Sequence, residues 1–114
     1  MKDFSLMKEK ELEALARVIV LQETEAQSDR FFVETGVDIL NNLFCYGKQT
    51  GKKIEDIPEK LTRLLADEGT AVMDLNKVID FDSIMKRVNE KTRFACYVVT
   101  KVALENFIKK GAVA

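Results

Sequence analysis

A chain of 114 residues has room for one hydrophobic core and not for two. It is 46% hydrophobic and 32% charged, which excludes a disordered chain, and 18 basic against 19 acidic residues give a net charge of −1, with no global pull toward nucleic acid or membrane. There is no histidine, so Ser-His-Asp and Cys-His nucleophile systems, imidazole-bound zinc and an axial haem histidine are all excluded.

The first residues, Met1 to Ser5, open into a charged stretch, and no secretory leader is expected. The helix predicted over residues 5–26 places Leu12, Leu15, Ala16, Ile19 and Ala26 at helical spacing, with Glu13 and Arg17 as a favourable i,i+4 pair. A second helix is predicted from an N-cap at Ser28 to about Tyr46. It carries two apolar stripes, one of Phe32, Ile39 and Leu43 with Gly36 in line, the other of Val33, Val37, Leu40 and Phe44. Two stripes imply burial on two sides, in the middle of the fold or at a subunit contact. Gly36 costs about 1 kcal/mol in a helix relative to alanine, which close approach of another helix would offset.

Gly47 is expected to end that helix, and residues 47–53, with two glycines and three lysines, read as a loop. The spacing of a phosphate-binding loop is absent there. Pro58 fits the first turn of a third helix with Leu61, Leu64 and Leu65 inward and Gly69 as its stop. Thr70 is expected to cap a further turn or two carrying Val72, Leu75, Val78 and Ile79. Asp80 or Asp82 reads as a helix N-cap, because a calcium loop starting at Asp80 would need glycine and glutamate where Met85 and Lys91 stand. From Ser83 to Lys110 no proline or glycine occurs, which predicts one long helix ending at Gly111, exposed or bent at the polar run Asn89–Arg93. The β-rich runs 17–21 and 97–102 are read as helix because their flanks are helical. The expected architecture is all-α: a single helical domain over residues 1–114, a bundle of four to five helices with a long C-terminal one.

Local charge is uneven. Residues 54–85 carry three basic and eight acidic side chains, a net −5, and residues 86–114 carry seven and two, a net +5. The simplest account is internal complementarity between the two. The alternative is a basic stripe, Lys86, Arg93 and Lys101 with Tyr97 in line and Arg87 and Lys91 beside it, contacting nucleic-acid phosphates.

No catalytic constellation emerges. The carboxylates neighbour lysines and arginines on solvated faces, and no glycine-rich dinucleotide fingerprint is present. Cys45 and Cys96 sit in apolar runs, outside any Cys-x-x-Cys pair, and read as buried thiols of a reducing, cytoplasmic compartment. The uninterrupted apolar runs, Val18–Leu21 and Phe94–Val99 among them, are far too short to span a membrane. The expectation is therefore a non-catalytic helical interaction module without cofactor or metal: an adaptor, a small regulator or an accessory subunit. Its expected partner is another protein or a second copy, with a homodimer as the default. The candidate partner surface is Phe32, Gly36, Phe44, Tyr97 and Phe107, since segments 31–46 and 94–108 are apolar on more than one face. A nucleic-acid-associated regulator using the basic C-terminal helix is the runner-up.

Overall fold

The order of elements follows from where the chain can cap its helices. The computed structural model describes residues 4–23 and 29–113. Among them it has six α-helices and no strand: α1 (Glu9–Glu23), α2 (Arg30–Thr50), α3 (Ile57–Ala66), α4 (Glu68–Asn76), α5 (Asp82–Arg87) and α6 (Glu90–Val113). Short 3₁₀ turns occupy Phe4–Leu6 and Ile54–Asp56. The runs 17–21 and 97–102 are both helical, so flanking propensity outweighed local β character.

The first helix starts later than expected. The Glu11 carboxylate accepts a hydrogen bond from the Lys8 amide at 3.0 Å, which fixes the helix start there, and the chain before it turns back so that Phe4 is buried. Ala26 and Ser28 lie outside the described residues. Asp29 is the N-cap of α2, its Oδ1 accepting from the Phe32 amide at 3.0 Å.

The second helix passes straight through Gly47 and ends at Thr50. Gly51, at φ 72°, supplies the left-handed C-cap, and the amides of Gly51 and Lys52 both donate to the Gly47 carbonyl. The expected loop 47–53 therefore shrinks to 51–53. Pro58 occupies the first turn of α3 as predicted. That helix stops at Ala66, not Gly69, because Asp67 intervenes as the cap of α4: its Oδ1 accepts from the Thr70 amide at 3.3 Å and its Oδ2 from the Thr70 hydroxyl at 2.8 Å. Thr70 thus donates to the cap and is not the cap itself, and Gly69 lies inside α4.

The long C-terminal helix is two helices. Val88 is extended (φ −121°, ψ 127°) and buried, while Asn89 Oδ1 accepts from the Thr92 amide at 2.9 Å and starts α6. The polar run at Asn89–Arg93 is a helix start, and α6 continues past Gly111 to Val113. Ahead of α5, Asp80 Oδ1 accepts from the Ser83 amide at 3.3 Å, and the Asn76 side chain accepts from the amides of Phe81 (2.8 Å) and Asp82 (3.1 Å).

The core runs along α2. The first helix packs beside it, α6 crosses α1, α2 and α3, and α3 pairs with α4. Both stripes of α2 face inward, with Val37, Ile39, Leu40, Leu43 and Phe44 at 1% exposure or less, so α2 lies in the middle of the fold. At Gly36 three helices meet: a β-carbon there would stand 3.3 Å from Thr100 Cγ2 of α6 and 3.6 Å from Val20 Cγ2 of α1. At Gly47 the neighbour is Phe4, whose ring also packs 5.1 Å from that of Phe44. Among the described residues no helix is long and apolar enough to cross a membrane.

Candidate interaction surface

The five residues expected to form a partner surface do not form one. Phe44 and Tyr97 are fully buried, Gly36 lies at the three-helix junction, and Phe32 and Phe107 are half-buried against the core. Their apolar character belongs to internal packing, because α6 crosses the face of α2 that the sequence leaves unassigned.

The basic stripe is dispersed in the same way. Arg93 is 8% exposed and turns inward, its Nε and one terminal nitrogen donating to the two carboxylate oxygens of Glu68 on α4, each at 2.8 Å. The other terminal nitrogen donates to the carbonyls of Val88 (2.6 Å) and Met85 (3.5 Å), which the end of α5 leaves without helical partners. The Tyr97 hydroxyl donates to Glu68 Oε2 at 2.7 Å. Arg87 pairs with Asp38 of α2 at 3.2 Å, and Lys101 with Glu105 one turn on at 3.3 Å. Lys86 and Lys91 are exposed and have no ion pair among the described residues. The expected complementarity between the acidic segment and the basic one comes down to one pair among the described residues, Glu68–Arg93; Arg87 pairs with Asp38 of α2, and Lys110 reaches Glu23 of α1 at 2.7 Å.

The Glu68–Arg93–Tyr97 cluster is the most strongly perturbed electrostatic feature. The Arg93 hydrogen bonds hold the Glu68 carboxyl below its usual range against the opposing effect of burial. Burial, then the adjacent Glu68 carboxylate, pushes the Tyr97 phenol up, and Glu68 pushes Arg93 up. Every charge and donor is matched, and among the described residues no buried side-chain nitrogen or oxygen lacks a partner. A carboxylate held ionised by an arginine and a phenol held protonated by burial are both poorly placed for proton transfer near neutrality. The cluster ties α4 to α6 and closes the end of α5.

Burial raises both thiols above their ordinary value, Cys96 to about 11, which leaves them weak nucleophiles. The groove between α3 and α4, lined by Arg63, Ala66, Asp67, Thr70, Ala71 and Asp74, holds about 220 Å³, below the roughly 300–1,000 Å³ of small-molecule sites. Arg63 there is paired with Glu59 at 2.9 Å. No group of three or more His, Cys, Asp or Glu gathers to hold a metal among the described residues.

What the fold leaves uncovered is an apolar strip on the outer side of α6. Cys96, Tyr97, Thr100, Ala103 and Leu104 point inward. Ala95, Val98 and Val102 point outward, and each valine is 50% exposed. Lys91 and Glu105 continue the same exposed line at its two ends. The sequence marks this segment as apolar on several faces, and the structure buries Tyr97 and exposes Val98. The spacing 91, 95, 98, 102, 105 alternates four and three and was the available signal for a second stripe. Val18 and Leu21 of α1 are 41% and 39% exposed, and the isolated Leu6, Met73 and Phe31 are individually more exposed than the valines of α6, at 82%, 69% and 61%. No family model, no curated protein and no solved structure matches the chain.

Proposed function

We propose that the protein is a non-catalytic helical interaction module, an adaptor, small regulator or accessory subunit, that binds another protein chain through the outer face of α6. The observation that carries this reading is the line Ala95–Val98–Val102, apolar and exposed on a helix whose opposite side is fully engaged in the core. Beta-branched side chains restrict helical χ1 freedom and lower helix propensity, so two valines on a solvated helix face serve the helix poorly and serve a contact well. The charge-matched Glu68–Arg93–Tyr97 cluster and the raised thiols support a scaffold role over catalysis. The setting we propose is a reducing, cytoplasmic one, supported by two unpaired cysteines.

Placing a photo-crosslinking phenylalanine analogue at Val98, with the same analogue at the exposed Lys77 as reference, tests the reading in cells. A discrete protein adduct at position 98 and none at position 77 is the expected result. No adduct at position 98 above that reference overturns it.

A further inference from the structure

We propose that a second copy of this chain covers the outer face of α6, the two helices lying antiparallel about a two-fold axis that passes beside Val98. The proposal rests on the reading of that face as an interaction surface and names its occupant.

The argument is the arrangement of charge around the apolar centre. Lys91 and Glu105 stand seven residues to either side of Val98 on one exposed line, about 21 Å apart along the helix. A two-fold axis perpendicular to α6 reverses the helix direction and keeps each residue on its own side of the contact. Val98 then meets its own copy, Val102 meets the partner's Ala95, and Lys91 meets the partner's Glu105. Because the contact is symmetric, both ends gain an opposite-charge pair and no like charges along this line are brought together. A parallel arrangement would set Lys91 against its own copy at one end and Glu105 against its own copy at the other.

Of the two charges, Lys91 has no ion pair among the described residues and Glu105 has one, within its own helix. Arg87, Arg93 and Lys110 each hold a carboxylate elsewhere in the fold, whereas Lys91 holds none among the described residues. Glu105 is engaged by Lys101 of its own helix at 3.3 Å, an exposed pair that a second cation can join. Ala95 contributes by being small, so that two helix backbones approach closely where Val102 must be accommodated. A contact of four helical turns falls at the low end of interface sizes.

Sedimentation equilibrium of the whole chain from about 5 to 500 µM reads this directly. A reversible dimer is expected for the wild type, and Val98→Asp should raise its dissociation constant at least about tenfold. Lys91→Glu and Glu105→Lys should each weaken the dimer, the first by facing two carboxylates and the second by facing two ammonium groups. The double substitution Lys91→Glu/Glu105→Lys should bring the constant back to within about threefold of wild type. All three positions are exposed, and circular dichroism with a thermal melt shows that each variant remains folded. A wild-type chain that stays at 13.0 kDa throughout overturns the proposal, as does a dimer indifferent to Val98→Asp, or a double variant no better than the singles. A position-98 adduct that contains a different protein sinks this proposal and leaves the interaction reading standing; absence of any adduct sinks that reading first.

Discussion

The ring of Phe4 occupies the space that a side chain on Gly47 would need: a β-carbon there would lie 2.8 Å from two of its ring carbons and 3.3 Å from Ile57 Cδ1. Gly47 is thus the socket for the N-terminal turn, and the Lys48 ammonium, which donates to the Met7 carbonyl, secures the same segment. Gly47→Ala should displace Phe4 and cost about 1–3 kcal/mol by overpacking. In a Phe4→Ala background the clash is gone, and the same substitution should stabilise by up to about 1 kcal/mol through helix propensity. Urea denaturation of the four proteins measures the sign reversal.

Arg93 and Lys101 share a stripe in the sequence and differ sharply in the fold. Arg93→Met leaves the half-buried Glu68 without its counter-charge and removes the donor to the Val88 and Met85 carbonyls. A loss of about 3–5 kcal/mol is expected. Lys101→Glu breaks an exposed pair and should cost no more than about 1 kcal/mol. Equal effects in chemical denaturation would contradict the burial of Arg93.

The same cluster contributes to the acid sensitivity of the fold, as does the Glu34 carboxyl, held low by Arg17. The folded pKa of Glu68 is depressed by Arg93, so its contribution is complete above the ordinary glutamate value of about 4.3 and is lost as pH falls through the lower folded value. Thermal melts should show a steep fall in stability below about pH 4, and in Glu68→Gln that fall should be shallower because the titrating group has gone. On the alkaline side Cys96, raised to about 11, and Tyr97, also raised, favour the folded state until pH exceeds their unfolded values, near 8.5 and 10. Stability should then decline as pH rises further.

Asn89→Ala removes the side chain that caps α6 and should cost about 0.5–2 kcal/mol. If α5 and α6 were a single helix, the same substitution would be neutral or stabilising, since alanine is the better interior residue. Differential scanning calorimetry separates these outcomes.

The helical class was legible because long segments without glycine or proline leave few alternatives, and Pro58, Asp80 and the inward leucines of α3 stood where local chemistry put them. The ends of helices were less legible. Glycine was read as a stop at 47, 69 and 111, yet all three are interior, and at 47 the reason is the long-range contact with Phe4, forty-three residues away in the chain. The break at Val88 was hidden because no glycine or proline marks it; a buried valine and a capping asparagine make it. The site was least legible. A run that is apolar on every side, as Phe94–Val99 is, does not say which side the rest of the chain covers, so Tyr97 was assigned to the surface while Val98 stands on it. Glu68 carried no signal, since its role exists only when α4 and α6 meet.

The six-residue α5 is too short to persist alone in water, where an isolated helix needs about 12–15 residues to be even marginal. Its C-terminal carbonyls are held by an arginine from the next helix, which is itself held by a carboxylate from the preceding one. The turn therefore leans on contacts made by α4 and α6. Amide exchange across Ile84–Val88 reports whether the Glu68–Arg93 contact between α4 and α6 is intact.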